Sequence, residues 1–349
     1  MSARDEELES SFRWQADICR AMSAPFTAAL LDACAESYKA RGSIHDLVKD
    51  WEGEPRAGAL GLRVIGAVQA AARATGTGEL AALFSAPPSE PQNLRRLIED
   101  AATENLPLFK DFARRAVQTN EVLRAAALLG GFLEIAKQTS LPLELFEVGA
   151  SGGLLLGWDR YRYEFGAFAW GKEGGLRLKA EWKGEQPDWP AKVDVANRRG
   201  CDINPIDYDD PEAVLRASSY FWAEQDERRE RFLAAVAATR GLGITVDKAN
   251  AGDWLSERLT ARTPGRAAVV YHSVMIQYLS EADRSAMEAA IAAAAERATQ
   301  ETPFARLRFE PDPVDVLRFA VDLTLWPGGK KLRLAYAHPH AAWVEWLGA

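Results

Sequence analysis

The stretch LELFEVGASGGLLLGWDRY, Leu143 to Tyr161, decides how the rest of the chain is read. A short apolar run, LELFEV, enters a turn rich in small residues. Gly149-Ala150-Ser151-Gly152-Gly153 spells G-x-S-x-G, the sharp strand-to-helix turn that exposes a serine nucleophile. The same turn also suits a loop whose backbone must come close to a bound ligand, because small side chains leave room. The two readings require different surroundings along the chain.

Before Leu143 the pattern is helical. RWQADICRAMSAPFTAALLDACAESY carries apolar residues at helical spacing, and Pro25 restarts a second helix. GALGLRVIGAVQAAARATG and NEVLRAAALLGGFLEIAKQ are further amphipathic segments, separated by the Pro-rich SAPPSEPQN. After Leu143 strands alternate with helices, the signature of a parallel sheet covered by helices. YRYEFGAFAWGKEGGLRLKAEW reads as a β-hairpin, and VDVANRRGCDINPID as a second sheet strand. A long helix is expected from Pro211 to about Thr239. GITVDK and RAAVVYHSVM give a third and a fourth strand, and Ser280-Glu281-Ala282-Asp283 opens a helix as a capping box with Asp in place of Glu. FARLRFEP is a fifth strand, and FAVDLTLWPGGKKLRLAYAHPH closes as a hairpin turning at Pro327-Gly328-Gly329.

A serine elbow normally follows several strands, one of which supplies an oxyanion donor, and needs an acid and a histidine later in the chain. His338 or His340, with Asp283, Asp312 or Asp315, would serve. Here, however, about 140 helical residues precede the turn, so it follows the first strand, where a Rossmann-like fold holds its cofactor. Taken from Glu147, the letters give acidic-x-Gly-x-Ser-x-Gly, a variant of the S-adenosylmethionine loop of methyltransferases. Gly149 and Gly153 then permit the turn, and the helix N-terminus behind it favours a carboxylate. Ser151 meets the amino-acid end of the cofactor, and Glu147 accepts from its ammonium group. An acidic neighbour would hinder a serine nucleophile, whereas it suits a cationic cofactor.

The remaining site residues follow in order. Asp202 in GCDINP is placed to take two ribose hydroxyls, or else forms an Asx turn. Asp253 in NAGDW accepts from the adenine amino group, or caps the helix at Leu255. His272, ending the fourth strand, is a candidate general base, with Tyr278 beside it as a second catalytic candidate. Trp222, Gln225, Gln277 and His338 are expected on the substrate side. Gln118, Asn120 and Glu121, just before the first strand, are expected to fold over the pocket, unless Asn120 caps a helix at Glu121.

The composition narrows the classes. A charged fraction of 26% with a net charge of −8 argues against non-specific binding to nucleic acid or anionic membrane and favours a small-molecule substrate. The acidic start MSARDEELES lacks the order of a secretory signal, and no apolar run spans a bilayer. Cys19, Cys34 and Cys201 lack C-x-x-C spacing and fit reduced, buried thiols. A cytoplasmic protein is expected. No H-E-x-x-H or other metal spacing occurs, and His338-Pro339-His340 has no third ligand in view.

QTNEVLRAAALL, FEVGASGGLLLGWDRY, RRGCDINPIDYDDPE, VVYHSVMIQYL, FARLRFEP and LTLWPGGKKLRLAYAHPHAAWVEWL, taken together and in this order, resemble the bacterial domain-of-unknown-function family 2332. The resemblance implies a methyltransferase-like Rossmann fold behind a helical N-terminal region, and no assigned activity. Departures from the family's pattern are Leu155 in SGGLLL, where a polar side chain is expected, FWAEQ for VWPDQ, and HPHA for HPHG. The expectation is therefore a helical region or lid over residues 1–115 and an α/β domain over 116–349. That domain has a hairpin insertion near 161–183, a mainly parallel sheet and an antiparallel C-terminal hairpin. The expected function is S-adenosylmethionine-dependent methylation of a small molecule. A serine hydrolase using Ser151 and a non-catalytic binding module on the same fold are the alternatives.

Overall fold

A computed structural model describes residues 2–87, 91–190, 192–315 and 318–348. The middle of the Pro-rich loop after Ser85 lies outside the described residues. The chain divides into two compact units, Met1–Thr119 with Tyr208–Glu230, and Asn120–Asp207 with Arg231–Ala349. The expected boundary at residue 115 compares with a division after Thr119. The segment Tyr208–Glu230 groups with the helices rather than with the sheet.

The first unit is built from α1 (Ala3–Ala21), α2 (Pro25–Lys39), α3 (Ser43–Val48), α4 (Leu60–Thr75), α5 (Gly78–Ser85), α6 (Leu94–Glu104) and α7 (Leu106–Arg114). Ser2 and Asp5 form a reciprocal capping box at α1, and Pro25 occupies the first turn of α2 as its fixed φ favours. Leu8, Phe12, Leu30, Leu31, Val64 and Val68 form the core between these helices.

The second unit opens with α8 (Arg124–Thr139), followed by β1 (Leu143–Val148). A short 3₁₀ helix, Leu154–Arg160, stands where a full helix was expected behind the glycine loop. β2 (Arg162–Glu164), β3 (Ala169–Trp170) and β4 (Arg177–Lys179) follow, then β5 (Glu181–Lys183) and β6 (Val195–Asp202). The expected single hairpin is instead a small three-stranded sheet in the order β3-β2-β4, with β2 and β4 parallel, while β5 leaves it. The aromatic alternation marked strands correctly, but could not say which strand each would join.

The long helix expected from Pro211 is two helices, α9 (Pro211–Ser218) and α10 (Asp226–Thr239). The break has a local cause. Ser218 and Ser219 turn their hydroxyls onto the carbonyl of Leu215, ending the helix. Glu224 then accepts from the N–H groups of Phe26 and Thr27 at 2.6 and 2.9 Å, satisfying the first turn of α2. Trp222 and Gln225 lie in this connecting segment of the helical unit.

The chain finishes with β7 (Thr245–Lys248), α11 (Ala251–Arg258), β8 (Ala267–Ser273), α12 (Glu281–Glu296), β9 (Phe304–Pro311), β10 (Phe319–Trp326), β11 (Lys330–Ala337) and β12 (Trp343–Trp346). Ser280 caps α12 as its sequence implied, accepting from the Asp283 N–H at 3.1 Å. Among the described residues, nine strands form one sheet in the order β5-β12-β11-β10-β9-β8-β1-β6-β7. From β7 to β9 the pairing is parallel throughout, and β9, β10, β11 and β12 run antiparallel in turn. The molecule is thus a mixed α/β protein with N-terminal helices and a large, mostly parallel sheet that ends in antiparallel strands.

Alternation along β1 and β8 assigns the two faces of the sheet. Phe146, Val148, Ala268 and Val270 pack with Leu255 of α11 and Met287 and Ile291 of α12. On the other face Phe132 of α8 stacks on Trp158 at 4.4 Å and meets Tyr271 edge-on at 5.0 Å. Gly130 and Gly131 let α8 approach closely, since a Cβ at Gly130 would lie 2.3 Å from the Trp346 ring.

Candidate functional site

The C-terminal ends of parallel strands collect ligands where the strand order reverses, and here that point lies between β1 and β8. The loop leaving β1 at that point needs unusual backbone. Gly149 and Gly153 have φ of 69° and 80°, and Ser151 is left-handed at 52°. Glycine adopts such values freely, whereas serine does so at a cost.

The tip of β6 holds this loop. Gly149 and Ala150 both donate to the Cys201 carbonyl, at 2.9 and 3.0 Å, and Ser151 N–H donates to Asp202 Oδ2 at 2.9 Å. Asp202 Oδ1 accepts from the Asn204 N–H at 2.8 Å, so the expected Asx turn is present and coexists with the loop contact. Each carboxylate oxygen retains a further lone pair. Gly200 gives the room for this approach, because a Cβ there would sit 2.6 Å from that of Ala150. Cys201 is buried, and burial raises its thiol to about 12. Cys19 and Cys34 are likewise free and buried.

Asn120 is buried, and its amide donates to the Ala150 carbonyl at 3.3 Å. It therefore straps the glycine loop and does not cap a helix at Glu121, since α8 begins at Arg124. At the first residue of α8, Arg124 donates to the Pro339 carbonyl at 3.2 Å. His338, just past the end of β11, accepts from the His340 N–H at 3.0 Å. β8, β9 and β10 separate β11 from β1.

Other expected site residues are placed differently from the simplest picture. Glu147 is buried beneath the loop, and Tyr271 donates to its Oε2 at 3.1 Å. Burial raises the Glu147 carboxyl well above the ordinary carboxylate range, with the tyrosine bond opposing and Asp202 adding to the shift. Glu147 thus lies on the buried face with Tyr271, and its expected contact with a ligand ammonium group would have to be made from there.

His272 projects from the sheet face opposite to Glu147, because it follows Tyr271 in β8 and successive side chains alternate. It is fully buried, and Nδ1 lies 2.6 Å from Glu310 Oε1. Its expected role as a base beside the cofactor loop does not match that position. Asp253 is exposed in the first turn of α11, whose N-cap is Asn250, accepting from Gly252 N–H at 3.1 Å. Gln277 and Tyr278 are exposed on the 3₁₀ turn after β8, Tyr278 at 78%. Ile203, 67% exposed, follows β6. These two large side chains stand on the loops either side of the β1 loop.

Sequence reasoning passed over Glu310 and Met275. Glu310 carried a signal, since Arg306, Arg308 and Glu310 alternate with Leu307 and Phe309 and mark a polar face on a strand that is otherwise apolar. Met275 carried none, because its place beside Gly149 depends on the pairing of β8 with β1.

Two surface clefts, of about 700 and 410 Å³, include no residue of this loop. Arg162, Glu164, Lys179 and Glu181 line the first, and Lys137, Trp189 and Trp346 the second. Among the described residues no cluster of three or more His, Cys, Asp or Glu is arranged to hold a metal ion. No helix among them is long and apolar enough to cross a membrane.

No curated protein matches the chain. A family model, described as an uncharacterised protein conserved in bacteria (DUF2332), matches residues 9–346. With nearly the whole length matched, from α1 through β12, the chain belongs to that family.

Proposed function

We propose that the α/β unit is an S-adenosylmethionine-dependent methyltransferase for a small molecule, with its cofactor at the C-terminal ends of β1, β6 and β8. The observation that carries this reading is the meeting of Asp202 with the Ser151 N–H, 51 residues apart in sequence, at the point where the strand order reverses. The donor set suits the group. Asp202 keeps lone pairs for two ribose hydroxyls, and the backbone of Gly149–Gly153 is free of bulky side chains. Asp253, exposed at the start of α11, is the polar group for an adenine amino function. Ile203 and Tyr278 offer apolar surface on the two flanking loops, as a planar base requires.

The cofactor, when bound, supplies an electrophilic methyl group on a sulfonium. The protein's own work is to fix the ribose, align the acceptor and keep water away. Glu147 supports the loop from beneath, and Asn120 holds it from the side. Gln277 is the acceptor-side group. Calorimetric titration with S-adenosylmethionine and S-adenosylhomocysteine tests the proposal. Saturable heat that is lost in Asp202→Ala is expected, and no heat from either compound at millimolar concentration overturns it.

A second reading has one observation in its favour, the left-handed φ of Ser151, because a serine nucleophile also sits on a strained turn. Fluorophosphonate labelling that disappears in Ser151→Ala would select that hydrolase. Labelling is expected to be absent, since His272 is engaged with Glu310 on the face opposite to Glu147, and β8, β9 and β10 separate β11, which His338 follows, from β1.

A further inference from the structure

We infer that Glu310 is a positioning residue for the ligand-facing edge: one carboxylate oxygen holds both the His272 ring and the backbone turn that seats Met275 against the glycine loop. Glu310 stands near the end of β9 and is buried. Its Oε1 receives the Met275 N–H at 3.1 Å as well as His272 Nδ1 at 2.6 Å. A carboxylate only accepts, so the ring nitrogen facing it is the donor.

Between the two donors lies Val274, with φ of 54°. A β-branched residue resists the left-handed region strongly and stays there only when its surroundings hold it. Two bonds do so, Val274 N–H to the Phe309 carbonyl at 2.8 Å and Met275 N–H to Glu310. The turn ends with Met275 beside Gly149, where an added Cβ would come within 3.1 Å of the Met275 Cβ. The strained turn after β8 and the glycine loop after β1 therefore share one wall.

The clamp is built to fail in acid. His272 faces Glu310, Arg306 and Arg308 of β9 and Glu288 of α12, while its neighbour in register on β1 is the apolar Val148. Arg306 already engages Glu288 through two bonds of 2.6 Å. Burial, which outweighs the pull of Glu310, keeps the ring neutral and holds its pKa below 6.5. The ring's Nε2 and Glu310 Oε2 are buried without hydrogen-bond partners among the described residues. A second proton would place an unpartnered N–H beside two arginines. A basic group with a lowered folded pKa stabilises the fold fully above its unfolded value and loses that contribution as pH falls below it. The turn should loosen as pH drops from about 6.5.

Hydrogen exchange of the full, unliganded chain between pH 5 and 8, corrected for intrinsic rates, tests this. In Glu310→Ala, peptides covering 273–279 and 147–153 are expected to lose protection together, by about tenfold, the equivalent of one charge-assisted bond. An unchanged rate there, or an equal loss across the whole α/β unit, overturns the inference. In the wild type the same peptides should open in step with the ring titration followed by NMR, and the absence of such a step overturns it even where the alanine variant fails to fold. His272→Asn, which keeps a donor toward Glu310, should retain protection at pH 7.5 and lose the acid dependence. A last arm rests on the cofactor reading: Glu310→Gln should weaken S-adenosylhomocysteine binding. A chain that binds none of it, yet shows the expected exchange, removes the cofactor reading and supports the clamp.

Discussion

Asp202 Oδ2 accepts the Ser151 N–H at 2.9 Å, tying the tip of the second parallel strand to the turn that follows the first. Its other oxygen takes the Asn204 N–H, so one side chain organises two loops on the same edge. Asp202→Ala should lower stability by about 2 kcal/mol, since two backbone donors lose a charged acceptor. Asp202→Asn keeps one carbonyl acceptor and should cost roughly half as much. Chemical denaturation of the three proteins measures the order, and an alanine variant as stable as wild type would contradict it.

Glu147 should make the fold less stable in mildly alkaline solution. Burial raises its folded pKa well above 4.5. The unfolded chain therefore releases this proton at lower pH than the folded chain does. The stabilisation is full below the unfolded value and is lost as pH rises toward the folded one. Glu147→Gln keeps an acceptor for Tyr271 and removes the titration. Relative to wild type it should gain stability steadily from pH 5 to 8, read from melting temperatures across that range.

Gly130 is expected to resist even alanine. The methyl group would gain about 1 kcal/mol of helix propensity. It would also lie 2.3 Å from the Trp346 indole, which is rigid and packed against Trp189 and Trp182. Overpacking of this kind costs about 1–3 kcal/mol. A net loss of about 1 kcal/mol in urea denaturation is the expected result.

At position 151 the backbone itself can be tested. Ser151→Gly relieves the left-handed strain but loosens the unfolded chain, so stability should stay within about 0.5 kcal/mol. Ser151→Val puts a β-branched side chain at the same φ and should cost about 2 kcal/mol. Equal stability of the two variants would mean that the turn relaxes away from this geometry.

Much of the fold was legible because it depends on local pattern. LELFEV and FARLRFEP are strands at the residues their apolar content marks, and the Pro327-Gly328-Gly329 turn joins two antiparallel strands. The break across 218–226 was not legible, because the segment after Ser218 is held in part by Glu224 serving a helix almost 200 residues earlier. The insertion after Tyr161 misled for a similar reason: alternation says that a segment is extended but not which edge will take it.

The candidate site divides in the same way. Gly149, Ser151 and Asp202 could be found from spacing, since glycine after a strand and an acid at the next strand end are local signals. The sequence by itself determined a helical start, an α/β remainder and the turn at the head of the first strand. Only tertiary structure decided that Glu147 and His272 face opposite sides of the sheet, and that Glu310 grips the turn against Gly149. Sidedness and burial arise from strand register, and register is set by partners that lie far away in the chain.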